Sequence, residues 1–319
     1  MRPVGYVGFD TSNYTTSAAV CTADGRVIAN IRTLLSVKEG ERGLRQSDAV
    51  FAHVKNLPDI CRKLRDAVKD MEILAVGYSG SPRSAEGSYM PCFLSGKAAA
   101  EAFASALDLP VYSFSHQDGH IMAASYSSGG IDCLMKAPFG AFHVSGGTTE
   151  MVLATPNDSG FSVEMLGGSA DLHAGQAIDR IGVMMGLRFP CGKELEALAE
   201  QNTKPIPKAR ISVKDGVCHL SGLENLAAKL WNETKDAPLV SAFVLQFCAE
   251  TLIKMTEWFD RLYPDLPIVY GGGVMSNRYL QKRLSERADT YFAAPEFSAD
   301  NATGIALLTR RAYLNAKGE

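Results

Sequence analysis

The apolar residues at the start of the chain come in short runs separated by turn formers. Gly5-Tyr6-Val7-Gly8-Phe9 reads as a strand, Asp10-Thr11-Ser12-Asn13 as a turn, and Thr15 to Cys21 as a returning strand. Asp24-Gly25 then supplies a second hairpin before Arg26 to Thr33. The phrase recurs in mid-chain, where Gly140-Ala141-Phe142-His143-Val144 leads through Ser145-Gly146-Gly147-Thr148-Thr149 into Met151-Val152-Leu153-Ala154. Two copies of strand, small polar turn and strand predict two lobes of common design.

Helical periodicity follows each copy. Ala52 to Lys69 carries Val54, Leu57, Ile60, Leu64 and Val68 opposite a Lys/Arg face, and Gly96 to Leu107 is rich in alanine. In the second half, Ala174 to Gly186 and Pro238 to Tyr263 read as long helices. The stripe Phe243, Phe247, Leu252, Met255 and Phe259 on the latter is expected to be core. Ser79 to Pro91 and Thr203 to Lys214 read as loops, the second with Pro205, Pro207 and four basic residues. The break at Ser127-Ser128-Gly129-Gly130 places a boundary near Ser125 to Gly130. Lobe I is then 1–125, with the C-terminal helix 303–319 expected to return to it, and lobe II is 126–302.

A length of 319 residues agrees with two domains, and a hydrophobic fraction of 46% supplies cores for both. Lys and Arg number 32 against 35 Asp and Glu, so the net charge of −3 gives no global attraction to nucleic acid, and any such contact needs a local patch. The basic runs Arg62-Lys63-Arg65-Lys69 and Lys204-Lys208-Arg210-Lys214 are candidates, although a solvated charged face has the same appearance. Seven scattered cysteines without a Cys-x-x-Cys pair fit a reducing, cytoplasmic setting. The apolar start ends at Asp10, too short for a signal or a membrane span, so no membrane association is expected.

The sharpest chemical signal is His116-Gln117-Asp118-Gly119-His120, since imidazoles at i and i+4 of a helix share a face and can share a metal ion. Polar histidines near a helix start have the same spacing. A zinc protease needs a glutamate directly after the first histidine, and Gln117 stands there. Val144-Ser145-Gly146-Gly147-Thr148 runs from a strand into small residues whose N–H groups and hydroxyls can approach phosphate, as can those of a plain glycine hairpin. Gly271-Gly272-Gly273, between a strand and the helix Arg278 to Arg287, permits close backbone approach to a nucleotide. Asp179 and Asp300 are the acidic candidates, with a helix N-cap as the simpler role for Asp300.

In their order along the chain these pieces resemble the TsaD family, also called the glycoprotease family. His116-x-x-Gly119-His120 is similar to its His-His-x-x-Gly-His motif, with Ser115 in place of the leading histidine. Val144-Ser145-Gly146-Gly147 matches its phosphate loop, and Gly175-Gln176-Ala177-Ile178-Asp179 resembles Gly-Glu-Ala-Phe-Asp. Phe189-Pro190-Cys191-Gly192, Ser221-Gly222-Leu223, Gly272-Gly273-Val274-Met275-Ser276-Asn277 and Asp300-Asn301-Ala302 match further family motifs. The resemblance implies an α/β, actin-like ATPase (ASKHA) fold, a duplicated ribonuclease H-like architecture with two lobes. It also implies transfer of threonylcarbamoyl from threonylcarbamoyl-AMP to N6 of adenine beside the tRNA anticodon.

Carried over residue by residue, the same resemblance implies that His116, His120 and Asp300 hold one divalent Fe2+ or Zn2+ and carry catalysis. Val144, Ser145, Gly146, Gly147, Thr148, Asp179, Gly192, Gly272, Gly273 and Asn277 would bind threonylcarbamoyl-AMP or ATP. The partners implied are tRNA and TsaB-like and TsaE-like proteins. The chain departs from the family at Asp10 to Thr16, where Glu-Thr-Ser-Cys-Asp-Glu-Thr is usual, at Val50-Phe51, and at Gly80-Ser81-Pro82-Arg83 with the extra residues that follow. These departures leave a second reading open: a TsaD paralogue serving as a non-catalytic scaffold, or another nucleotide-dependent carbamoyl transferase.

Overall fold

The computed structural model describes residues 2–12, 14–36, 44–158 and 160–318, so Asn13 of the first turn lies outside the described residues. The chain forms two compact units, one of Met1–Tyr126, Pro156–Ser162 and Ala299–Glu319, the other of Ser127–Thr155 and Val163–Ser298.

In the first unit, β1 (Val4–Thr11), β2 (Thr15–Thr22) and β3 (Val27–Leu34) form an antiparallel meander. After α1 (Gln46–Val68), the strand β4 (Glu72–Ser81) pairs parallel with β1. Then α2 (Phe93–Leu107) and β5 (Val111–Ser115) complete a sheet of order β3-β2-β1-β4-β5, and α3 (His116–Ser127) follows. β4 and β5 are absent from the periodicity reading. Parallel strands covered on both faces, as β4 is from Ala75 to Ser79, show short runs rather than alternation, and β5 is an edge strand of only five residues, so both carry little signal.

Helix α1 begins six residues before the predicted Ala52, and its buried face differs from the predicted one. Ala49, His53, Ile60 and Leu64 are buried, whereas Val54 is 58% exposed. His53 is admitted to the interior because both ring nitrogens are satisfied. Nδ1 lies 2.8 Å from Thr16 Oγ1 and Nε2 lies 2.8 Å from the carbonyl oxygen of Ser12.

The second unit opens with α4 (Ile131–Leu134), β6 (Phe139–Val144), β7 (Thr149–Asn157) and β8 (Gly160–Ser169). Next come α5 (Ala174–Met184), α6 (Gly192–Ala199), the short hairpin of β9 (Val213–Lys214) and β10 (Val217–Cys218), α7 (Ser221–Thr234) and α8 (Ala237–Leu262). The last elements are β11 (Ile268–Gly271), α9 (Arg278–Leu284) and β12 (Thr290–Phe292). The sheet runs β12-β11-β6-β7-β8-β10-β9, with β6 antiparallel to β7 and parallel to β11. Without the β9–β10 hairpin this is the order of the first sheet repeated, meander first and two parallel strands added beyond its first member.

Phe243, Phe247, Leu252, Met255 and Phe259 lie in the core of this unit. Helix α8 is long and apolar enough to cross a membrane, but 78% of its most apolar window is buried inside the protein. That burial accounts for its composition as a core helix.

The last helix, α10 (Thr303–Lys317), packs on β1, β2 and β4 with Thr303 to Thr309 all buried, and so belongs to the first unit. Residues 299–302, which the sequence pattern puts in lobe II, go with it, because they lead directly into that helix. Residues 156–162, also read as lobe II, belong to the first unit too. There Asn315 Nδ2 donates to the carbonyl oxygen of Asp158 at 3.2 Å.

Candidate metal centre and nucleotide-binding loops

Helix α3 starts immediately after β5, and its start is fixed by a reciprocal cap. The amide N–H of Asp118 donates to Ser115 Oγ at 3.0 Å, while Ser115 Oγ and N–H donate to Asp118 Oδ2 at 2.7 and 3.1 Å. Ser84 Oγ adds a bond to the same oxygen at 2.8 Å. The Asp118 carboxylate is thus committed to the helix start, and burial pushes its pKa up. His116 and His120 present their imidazoles side by side, with Nε2 atoms 3.0 Å apart.

Asp300 meets them from the segment before α10. Its Oδ1 lies 3.3 Å from His120 Nε2 and 3.7 Å from His116 Nε2, and Ser12 Oγ donates to its Oδ2 at 2.5 Å. The simpler role of helix N-cap falls to Ala302, not Asp300, and the N–H of Thr303 donates to Asn301 Oδ1 at 2.9 Å. Asp300 is therefore left to face the imidazoles.

Donor atoms about 2.0–2.2 Å from a shared ion stand about 2.8–3.6 Å from one another in tetrahedral or octahedral arrangement. Two of the observed separations, 3.0 and 3.3 Å, fall in that range, and the third, 3.7 Å, lies just above it. Two imidazoles with one carboxylate form the mixed nitrogen and oxygen set that suits divalent iron or zinc. His116, His120 and Asp300 therefore fit such an ion, and all three come from the first unit.

Electrostatics tie the group together without a cation. Burial works against the imidazolium of His116, but the Asp10 and Asp300 carboxylates outweigh it and hold its pKa well above the ordinary value. Burial likewise opposes the Asp300 carboxylate, and hydrogen bonds from His116 and His120 overcome it, holding its pKa well below the ordinary range. Cys92 lies close by, and burial, aided by the charge of Asp10, pushes its thiol up to about 11.

Two residues that matter here were not singled out as ligands from the sequence. Asp10 Oδ1 accepts from His116 Nδ1 at 2.9 Å and also accepts from Ser79 Oγ. A carboxylate behind a ligating histidine fixes the ring and its tautomer, leaving Nε2 toward the ion. Ser12 does the same for Asp300. The signal for both was the stretch Asp10 to Ser12, read from the sequence as a turn but forming the end of β1 and the residue after it, where Asp10 in place of the family's glutamate read only as a departure.

The remaining candidates lie in the second unit. The turn Ser145 to Thr148 joins β6 to β7, closed by the Ser145 N–H donating to Thr148 O at 2.7 Å, with Gly146 and Gly147 exposed. The start of α5 sits against it, where the N–H of Gly175 donates to Ser145 O at 3.1 Å and that of Ala174 to Thr149 Oγ1 at 2.9 Å. Gly272 follows β11 with φ of +95°, and any side chain there would strike the backbone of Val144. Its glycine is thus required twice, for conformation and for space. The structure brings together the carboxyl ends of parallel β6 and β11 and the start of α5, the place where open α/β sheets take ligands.

Asp179, farther along α5, accepts from the N–H of Cys191 at 2.8 Å beside Gly192, and burial raises its pKa. Asn277 uses its side-chain oxygen to cap α9 through the N–H of Leu280 at 3.0 Å, which leaves its amide NH2 for a ligand. Gly192 and Asn277 stand at the starts of α6 and α9, and Glu196 of α6 accepts from the N–H of Arg278 at 2.7 Å, so these two helix starts adjoin.

A family model described as TsaD, tRNA N6-adenosine threonylcarbamoyltransferase, matches residues 27–307. A protein of that name from Streptococcus equi subsp. zooepidemicus is 30% identical, over 93% of this chain and 88% of its own length. Another from Thermus thermophilus is 30% identical over 98% of this chain and 93% of its own. Among solved structures, a ROK family glucokinase from Streptomyces griseus in complex with glucose and AMPPNP aligns with a TM-score of 0.52 at 13% identity, covering 96% of this chain and 99% of that one. The repeated sheet order and this likeness give the fold as the actin-like ATPase fold. On the family match and the extent of the two relatives, the chain belongs to the TsaD family, the tRNA N6-adenosine threonylcarbamoyltransferases, and so to a family of acyltransferases.

Proposed function

We propose that this chain moves a threonylcarbamoyl group from threonylcarbamoyl-AMP to N6 of the adenine beside the tRNA anticodon. The observation that carries the reading is the convergence of His116, His120 and Asp300 within 4.8 Å of one another in a chain of this family. In the reaction the N6 nitrogen forms a bond to the carbamoyl carbon, the bond from that carbon to the phosphate oxygen breaks, AMP leaves with the electron pair, and N6 loses a proton. His116, His120 and Asp300 would hold an iron or zinc ion, which would supply Lewis-acid chemistry there.

The chain's own groups divide the remaining work. Asp10 and Ser12 orient His116 and Asp300, so the three ligands need no reorganisation when the ion enters. The turn Val144 to Thr148 offers exposed N–H groups and the Ser145 and Thr148 hydroxyls to the acyl-phosphate. Asp179, Gly192, Gly272, Gly273 and Asn277 receive the nucleoside, Asp179 as an acceptor and Asn277 as a donor. TsaB-like and TsaE-like proteins in the cytoplasm complete the cycle. Retention of the full ligand set favours an active enzyme over a scaffold, which has no use for it.

The test incubates the metal-loaded protein, alone and with candidate partner subunits, with threonylcarbamoyl-AMP and unmodified tRNA, and reads the modified nucleoside by mass spectrometry. Product is expected, and His120→Ala is expected to lower its rate at least ~100-fold, with bound metal lost in parallel. No product under any of these conditions would sink the reading in favour of the scaffold.

A further inference from the structure

The segment 204–219 carries four cationic side chains and one acidic one in a chain of net charge −3, and the structure organises them. Ile206, Ala209, Ile211 and Val213 pack against the core of the second unit, while Lys208, Arg210, Ser212 and Lys214 point out to solvent. Outward residues two apart on extended backbone lie roughly 6.6 Å from each other, so Lys208, Arg210 and Lys214 form a spaced row rather than a cluster.

The row is rigid. Val213 and Lys214 pair with Cys218 and Val217, and β10 pairs in turn with β8. The N–H of His219 donates to Ser212 O at 3.2 Å, and Lys254 Nζ approaches Ile211 O at 3.4 Å, bringing a further positive charge. The other basic run of the sequence differs. On α1, Arg62 is paired with Asp59, and Arg65 with Asp66 at 2.8 Å. Lys204 is likewise held by Asp236 at 2.6 Å. Among the described residues no carboxylate lies within ion-pair distance of Lys208, Arg210 or Lys214.

We infer that Lys208, Arg210 and Lys214 are the row along which this chain takes the phosphate backbone of its tRNA substrate. The inference rests on the proposed function and adds to it the surface that receives the substrate. A spaced row of unpaired cations suits successive phosphates of one strand, because no ion pair within the protein has to break before each cation meets a phosphate. It positions the RNA without reading its sequence.

The experiment measures binding of an unmodified tRNA transcript to the full-length, metal-loaded chain as a function of salt. The triple variant Lys208→Ala, Arg210→Ala, Lys214→Ala is expected to bind at least ~10-fold more weakly near 100 mM salt. The slope of log affinity against log salt is expected to fall by about 2–3, one for each phosphate that is no longer neutralised. In the transfer reaction its KM for tRNA rises while kcat holds. The charge-preserving triple Lys208→Arg, Arg210→Lys, Lys214→Arg restores binding, and Arg62→Ala with Arg65→Ala leaves it unchanged. Equal affinity and slope in the alanine triple and the parent overturn the row alone. If the parent chain, with its partners, binds no tRNA at any salt concentration, the functional reading falls and the row with it.

Discussion

Gly304 lies directly against the carbonyl oxygen of Gly119, so closely that a methyl group on Gly304 would overlap it. Gly119 sits in α3 one residue before His120, and Gly304 sits in the first turn of α10 four residues after Asp300. The meeting of two glycines sets the distance at which α3 and α10 cross, and hence the distance from the imidazoles to the carboxylate. Gly304→Ala keeps every ligand but must part the helices, since a backbone carbonyl cannot move aside as a side-chain tip can. It is expected to cost about 1–3 kcal/mol of stability and to weaken metal binding at least ~10-fold, read from the thermal midpoint and from chelator competition. Unchanged metal affinity would separate the crossing from the site.

Asp10 acts through His116. Asp10→Ala is expected to lower metal affinity about 10–100-fold with the fold retained by circular dichroism, and Asp10→Asn to fall between it and the parent. A metal-loaded Asp10→Ala protein indistinguishable from the parent in chelator competition would remove Asp10 from the site.

The metal-free site holds a proton that an incoming cation must displace. The pKa of His116 is held well above its ordinary value by Asp10 and Asp300, and its stabilising contacts with them fade as pH rises through that raised value. Asp300 has the opposite sign, its contribution being lost as pH falls through a depressed pKa. Divalent metal affinity is therefore expected to rise with pH, up to about tenfold per unit while His116 remains protonated, and then to level off. Titrations at three pH values around neutrality test this, and an affinity flat across them contradicts it.

In the second unit, Asp171 joins the end of β8 to the start of α7. Its carboxylate accepts from the N–H groups of Leu172 at 2.5 Å and Leu220 at 2.8 Å and from Ser221 Oγ at 2.6 Å. Burial opposes the charge, but these hydrogen bonds prevail and hold its pKa below the ordinary range. Asp171→Ala is expected to cost about 1–3 kcal/mol at neutral pH. The stabilisation is present above the ordinary carboxylate pKa of about 4 and is lost as pH falls through the lower folded value. The denaturation midpoints of parent and variant should thus converge in acid, and a constant gap would rule the carboxylate out as its source.

Much of this protein was legible in the order of its residues. The repeated strand, small polar turn and strand marked two similar halves, because alternation and turn chemistry act within a few residues. The histidine pair was legible because helical geometry alone places i and i+4 together. Strand β4 was missed because burial on both faces over Ala75 to Ser79 erases alternation, β5 because it is a five-residue edge strand, and the buried face of α1 was misread because His53 is made acceptable inside only by Thr16 and Ser12.

What the chain determined by itself was therefore local: which segments are helices and strands, which turns are tight, and which side chains have ligand chemistry. Tertiary structure alone decided that Asp300, remote in sequence from His116, arrives within 3.7 Å of it, that Asp10 stands behind that imidazole, and that Lys208, Arg210 and Lys214 are left unpaired while Lys204 is held by Asp236 and Arg62 and Arg65 by carboxylates of their own helix. The reason is physical. These relationships depend on how closely two helices cross, on which face of an element is buried, and on which carboxylates the fold brings near, and none of them leaves a trace in spacing along the chain.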